Sequence, residues 1–298
     1  MGAGMEQQRQ TQDYFKSAAK GWQVSAVNAA DEYSVIDGRN NAVLTVVDSM
    51  PAARTLLDVG CGTGQLVIAA AKRGLEADGI DFAEQMVEQC EANKSAAGVN
   101  AKFRCDSFFD ATWPDEHYDV ISAQGFIEYV SQDQMEVFFH RCHKMLKPGG
   151  ALVVGSRNRL FNIVSMNDFT RAEMELGVLT SLMAEAIALQ SSPTQEAAFG
   201  ALRRFGRADA QPDRHPMTGI AVEVRYQYTP ADLIWRLGRH GFGPRTLFPV
   251  HFHGLPGPMK TQHPAIHNQL AKLMGEIGAQ EHRLVPFSST FILDARKS

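Results

Sequence analysis

From Thr55 to Arg157, short apolar runs alternate with longer stretches of helical spacing, the pattern of successive βαβ units and a parallel sheet. The runs that read as strands are Thr55 to Val59, Glu76 to Ile80, Ala101 to Cys105, Tyr118 to Ala123 and Ala151 to Ser156. Helices fill the gaps, which predicts a doubly wound α/β core. Lys147-Pro148-Gly149-Gly150 is expected to turn the chain before the fifth strand, since proline cannot continue a helix and glycine accepts positive φ. Beyond Arg157 the rhythm changes. Met166 to Gln190 predicts a helix, and Ser191 to Gly219 is rich in turn residues, so this stretch reads as a helical insertion, a lid. Thr229-Pro230 opens a helix that Gly241 ends, with Thr as cap and Pro at the first helical position. A strand from Arg245 to Phe252, a second insertion rich in Pro and Gly from Gly254 to about Pro264, a helix to about Gly278 and a closing strand from Phe287 to Asp294 complete the reading. Four segments emerge from it: an N-terminal helical segment over 1–54, a core over 55–157, a lid insertion over 158–228 and a C-terminal completion of the core over 229–298.

Composition acts mainly by exclusion. A chain of 298 residues with 44% hydrophobic content can bury a full core. Its formal net charge of -4 supplies no basic field, so no nucleic-acid partner is expected. Cys61, Cys90, Cys105 and Cys142 form no CxxC pair, which argues against a zinc site or a disulfide framework. No metal is expected, and a reducing cytosol fits best. There is no apolar run of about 18 residues, so stable membrane insertion is not expected.

The densest chemical signal is Leu56-Leu57-Asp58-Val59-Gly60-Cys61-Gly62-Thr63-Gly64. It puts alternate glycines at the end of a strand, where backbone must approach a ligand with no Cβ in the way. A dinucleotide fingerprint would place its third glycine one residue later, but Gln65 stands there, so the spacing does not suit a dehydrogenase. At the end of the next strand Asp81 presents a carboxylate able to accept both hydroxyls of a ribose. Phe82 and Met86 are placed to pack on an adenine face. Asp106, Ser107 and Phe108 end the third strand with a carboxylate and an aromatic. An adenosine-bearing ligand is therefore expected at the carboxyl edge of the sheet.

These residues resemble the class I S-adenosylmethionine-dependent methyltransferase superfamily, through LLDVGCGTG, GIDFAEQMV, CDSFF, YDVISAQG and LKPGG. The resemblance implies a Rossmann-like, seven-stranded, mostly parallel sheet with an antiparallel closing strand, and S-adenosyl-L-methionine as cofactor. It places Gly60, Gly62 and Gly64 against the methionine part and ribose, Asp81 on the ribose hydroxyls and Asp106 on the adenine amine. Asp13-Tyr14-Phe15 and the stretch from Tyr33 to Arg39 look like the segment that covers the cofactor in small-molecule members such as the ubiquinone biosynthesis enzymes. Tyr14 would then belong to the site, and Arg39 would grip the methionine carboxylate bidentately. After the fourth strand the chain has Gln124-Gly125-Phe126, where enzymes acting on exocyclic amines of bases carry an Asn-Pro-Pro-aromatic motif. Gln124 joins the expected cofactor contacts, and the absence of that motif, like the absence of a Pro-Cys pair, points to a small-molecule acceptor.

Methyl transfer needs alignment and exclusion of water, and a hydroxyl acceptor also profits from a base. His251 and His253 alternate on a predicted strand and share a face, so both are candidate bases. Glu128 and Tyr129 follow the fourth strand and are a second pair of candidates. Arg157, Asn158 and Arg159 leave the fifth strand, where they would either read a polar or acidic acceptor or anchor a loop. The expected activity is methylation of an oxygen, or alternatively a nitrogen, of a metabolite, glycan or natural-product intermediate. Carbon methylation of an activated ring and a non-catalytic cofactor-binding scaffold remain as alternatives.

Overall fold

The computed structural model describes residues 11, 34–208, 216, 225–279 and 281–298. Seven strands form one sheet: β1 (Thr55–Val59), β2 (Glu76–Asp81), β3 (Lys102–Cys105), β4 (Tyr118–Gln124), β5 (Leu146–Arg157), β6 (Phe242–Pro249) and β7 (Thr290–Lys297). Their spatial order is β3-β2-β1-β4-β5-β7-β6. The β3-β2-β1-β4-β5 part is parallel, and β7 runs antiparallel to both of its neighbours. The expected doubly wound sheet with one antiparallel closing strand is therefore present.

Alternation along each strand feeds two cores. Leu57, Val59, Ile121, Leu152 and Leu293 join one cluster, while their neighbours Leu56, Val120, Val153 and Ile292 join the other. Three helices supply the second cluster: α1 (Val35–Asp48), α2 (Gln65–Lys72) and α3 (Glu84–Ala97). The first is completed by α4 (Gln132–Met145) and by helices of the stretch between β5 and β6. Helix starts obey local chemistry: Ser34 caps α1 by accepting from the Asp37 amide, and Ser131 and Gln134 form a capping box on α4.

Between β5 and β6 the observed elements are a short 3₁₀ turn at Arg159–Phe161, then α5 (Asn162–Ser165), α6 (Asp168–Glu175), α7 (Leu179–Ser191), α8 (Gln195–Leu202) and α9 (Pro230–Gly238). The single helix expected from Met166 to Gln190 is thus two. Gly177, at φ +71°, takes the left-handed conformation that ends α6. The turn-rich reading of Ser191 to Gly219 missed α8, which Thr194 caps by accepting from the Ala197 amide at 3.1 Å. The part of that stretch at 209–215 and 217–219 lies outside the described residues, as does most of the expected N-terminal segment.

The two last strands start three residues from where the apolar runs placed them, β6 earlier and β7 later. Lys147-Pro148-Gly149-Gly150 lies within β5, where the pairing with β4 slips between Tyr118 and Val120. The tetrapeptide is a bulge in the strand instead of a turn ahead of it. In the C-terminal part, α10 (Gly257–Gln262), α11 (Pro264–Gly278) and a 3₁₀ turn at His282–Phe287 lead into β7.

Candidate functional site

At the carboxyl ends of β1 and β4, where the strand order reverses direction, lies a cavity of about 350 Å³. Open α/β sheets bind ligands at such switch points. Gly60 and Gly62, at φ +71° and +54°, carry the chain out of β1, and a Cβ on Gly62 would meet nothing within 4 Å, so this stretch of backbone borders open space. Gly64 serves packing instead: a Cβ there would fall 2.8 Å from the Phe103 ring, and this glycine is not part of the cavity wall.

Asp81 ends β2 beside the loop. Its Oδ2 accepts from the Gly62 amide at 3.0 Å and its Oδ1 from the Ala83 amide at 2.9 Å. Burial pushes the carboxyl up to about 6 against the pull of those amides. Asp58, on β1, also lines the cavity, and its buried Oδ1 has no hydrogen-bond partner. Burial raises this carboxyl to about 7, with Ser122 opposing by a hydrogen bond and Asp81 adding to the rise.

Across the cavity stand Arg39 from α1, Arg157 at the end of β5 and Arg225. The Arg39 Nη2 reaches Thr290 Oγ1 at 3.4 Å, while its buried Nε has no partner. Glu128 sits among the three arginines. It accepts from Arg225 Nε at 2.9 Å and from the Arg157 amide at 3.1 Å, and the Arg157 Nε stands 3.8 Å away. Burial would raise its carboxyl, but the charges of Arg225, Arg157 and Arg39 outweigh burial and hold it below the usual range. Tyr129 lines the cavity with the Arg225 guanidinium 5.4 Å from its ring centroid, and burial and Glu128 raise its phenol, so the hydroxyl stays protonated.

His251 also lines the cavity; burial, then His253 and Arg39, hold its imidazole well below its ordinary value and keep it neutral. His253 does not line it. Its ring stacks on Phe161 and its Nε2 lies 2.9 Å from Ser289 Oγ, with burial lowering it to about 4.

Of the other residues singled out in the sequence, Phe82, Met86, Ser107, Phe108 and Gln124 line the cavity, whereas Asp106 does not. The Asp106 carboxylate is paired with Arg104 at 2.6 Å and receives the Ser107 amide. Phe108 is largely a core residue, packed edge-on against Phe138 and Phe109. Gln124 donates to the Val153 carbonyl at 2.9 Å and leaves its buried Oε1 without a partner. Tyr14 lies outside the described residues. Of Arg157, Asn158 and Arg159, the first alone reaches the cavity; Asn158 holds the Val285 and Ser288 carbonyls and Arg159 is buried against Glu173. Asp58 is the charged wall residue that sequence reasoning does not single out; by strand alternation one of two pairs, Arg225 with Gln227 or Tyr226 with Tyr228, would line the pocket, and of these four Arg225 does.

Residues 56–150 match the methyltransferase domain family. Over this stretch, about a third of its length, the chain is similar to methyltransferase domains. It is similar to the ubiquinone biosynthesis O-methyltransferase of Azoarcus sp. (strain BH72), 34% identical over 112 residues that cover 37% of this chain and 47% of that one. The Coxiella burnetii (strain Dugway 5J108-111) enzyme of the same name is 30% identical over 106 residues, 36% of this chain and 44% of the other. The chain thus spans about half the length of these curated relatives. Among solved structures, a Burkholderia thailandensis 1,6-didemethyltoxoflavin-N1-methyltransferase with bound 1,6-didemethyltoxoflavin and S-adenosylhomocysteine superposes with a TM-score of 0.59 at 12% identity, covering 100% of this chain and 92% of that one. The Synechocystis PCC 6803 magnesium protoporphyrin IX methyltransferase with bound S-adenosylhomocysteine gives 0.54 at 14% identity, covering 96% and 97%. At these identities the two structures show the fold alone.

Proposed function

We propose that this chain binds S-adenosylmethionine in the cavity at the β1–β4 switch point and transfers its methyl group to an oxygen, or alternatively a nitrogen, of a small-molecule acceptor. The observation that carries this reading is a pair of unsatisfied buried groups of opposite charge in one cavity, Asp58 Oδ1 and Arg39 Nε. A buried polar atom without a partner costs about 1–3 kcal/mol. An amino-acid zwitterion resolves both, its ammonium on Asp58 and its carboxylate on Arg39.

The rest of the wall suits the remaining parts of such a ligand. Asp81 is held by two backbone amides in an orientation that leaves lone pairs for ribose hydroxyls. Phe82, Met86 and Phe108 offer an apolar seat for a purine. Bound there, S-adenosylmethionine supplies an electrophilic methyl group on a sulfonium, whose positive charge is lost on transfer. What this chain adds is alignment, exclusion of water and a place for the acceptor's proton. His251 is the residue that offers that place. It faces the cavity and is neutral at physiological pH, the protonation state that a base toward an acceptor hydroxyl needs. Glu128 is poorly suited to this role, since the arginines that hold it ionised also occupy its oxygens.

Calorimetric titration tests the reading. Wild type is expected to bind S-adenosylmethionine and S-adenosylhomocysteine at micromolar concentration, with NAD not competing, and Asp81→Ala to lose about 100-fold or more in affinity through its buried charge-assisted hydrogen bonds. Binding of NAD in place of the adenosylated ligands sinks the proposal, as does equal affinity in wild type and Asp81→Ala. Binding with no turnover on any acceptor would favour a non-catalytic scaffold.

A further inference from the structure

Helix α11 is seated on the body of the protein through His267, Ala271 and Gly278, which are buried. A Cβ on Gly254 would fall 2.5 Å from the His267 carbonyl oxygen, and one on Gly278 would fall 2.7 Å from the Phe252 ring, so backbone and ring approach closely at both places. The Leu255 amide also donates to His267 Nδ1 at 3.2 Å. The helix is thus firmly held, yet its large apolar side chains are left out of the contact. Ile266, Leu270, Leu273 and Ile277 are 51%, 39%, 53% and 68% exposed. A surface helix ordinarily turns such residues to the core. They recur at steps of four, three and four residues, which makes them one continuous ridge about 16 Å long.

We propose that this ridge pairs with the same ridge of a second copy of the chain, the two α11 helices running antiparallel about a twofold axis. The ridge reads Ile-Leu-Leu-Ile in either direction, at the same spacing. A reversed copy therefore sets Leu270 against Leu273 and Ile266 against Ile277, and symmetry makes each contact twice. A different protein as partner has no need of that palindrome. Steps of three and four are also the seam along which two helices interlock at a shallow angle. Charge favours the same occupant. From Thr261 to Ala271 there is no Asp, Glu, Lys or Arg, and Lys272 stands on another face of the helix, so the ridge does not repel its own copy. Gln269 and Glu276, both exposed, flank the ridge on one side. Reversal brings each Glu276 carboxylate beside a Gln269 amide of the other copy, an acceptor beside a donor. A dimer of standard size buries about 800 Å² on each partner, more than one ridge supplies. Helix α10, which packs against α11 and exposes Met259 by 44%, extends the same apolar face. None of the four ridge residues lines the cavity, so this inference stands apart from the chemistry proposed there.

Light scattering on the full chain as it leaves a size-exclusion column, loaded at tens of micromolar, reads the association directly. Wild type is expected at twice the mass of one chain. Leu270→Glu and Leu273→Lys are each expected to weaken association at least about 100-fold, because each sets a charge against a leucine of the other copy. Unchanged far-ultraviolet circular dichroism in both variants keeps loss of the dimer distinct from loss of the fold. Mixed in equal amounts, the two variants are expected to associate again, within about 10-fold of wild type, since the reversed register brings position 270 of one copy to position 273 of the other. A parallel pairing gives no such rescue. A monomeric wild type overturns the proposal, including one whose ridge binds phosphatidylcholine vesicles or another protein. A dimer that survives in both single variants overturns it as well, and a mixture of variants that stays monomeric overturns the reversed register.

Discussion

Asp58 is buried at a cost that its surroundings offset only in part. Its carboxyl titrates near 7 in the folded chain, against an ordinary value of 3.8, because it is buried with an oxygen that no donor reaches. Between those two values the folded state keeps a proton that the unfolded chain has released, so stability falls as pH rises through that window. Asp58→Asn removes this loss. The ligand-free variant is expected to be more stable than wild type at about pH 8, by roughly 1–3 kcal/mol, with the difference closing toward about pH 4. Thermal melts at both pH values check this, and a variant less stable at the higher pH would contradict it. The same substitution should weaken S-adenosylmethionine binding, the usual opposition of stability and function at a site. Asp58 could not be singled out in the sequence, because the state of its two oxygens depends on the strand beside it, which carries Ser122. Gly60, Gly62 and Asp81 were legible, since glycine spacing after a strand and an acid after the next are local patterns. The histidines show the limit of such patterns: His251 and His253 do lie side by side, ring centroids 4.4 Å apart, yet the first lines the cavity while the second is set against Phe161 and Ser289.

Among the elements, the strands of the core were readable to within a residue or two through β4, because buried parallel strands are short apolar runs bounded by turn residues. The stretch between β5 and β6 was less so. Gly177 splits a helix whose apolar spacing continues across the break, and Thr194 starts another among small residues that read as loop. The interactions that fix this region are tertiary and polar. Arg159 donates to Glu173 through Nε at 2.9 Å and Nη2 at 2.7 Å, and Asn162 Nδ2 donates to the same carboxylate at 2.8 Å, all buried. Removing one partner strands a buried charge, so Glu173→Gln is expected to cost about 3–5 kcal/mol, while Arg159→Met with Glu173→Leu recovers much of it. Denaturant unfolding of the single and double variants decides: a single variant as stable as wild type would mean that the pair does not hold α6 in place.

At the scale of the whole molecule, the cavity draws its wall from α1, from the ends of β1, β2, β4 and β5, and from Arg225 and His251 near the other end of the chain. A ligand bound there ties these parts together. S-adenosylhomocysteine at about 100 times its Kd is expected to add about 2.7 kcal/mol to unfolding, raising Tm by roughly 4 °C for a chain of this size. Scanning calorimetry across ligand concentrations checks this, and a melting temperature indifferent to ligand would show that the cavity is not the binding site. Glu128 is the point where several of these parts meet: its carboxylate receives Arg225 and the Arg157 amide, and its carbonyl receives the Tyr226 amide at 2.9 Å. That arrangement restricts how the chain can diverge. Losing Glu128 alone would leave three like charges facing one another in a buried place, and losing both Arg157 and Arg225 would leave Glu128 with Arg39 as the remaining one of the three. Divergence here therefore has to change the carboxylate and an arginine together, so these positions should be inherited as a set, each substitution tolerated only in the background of another.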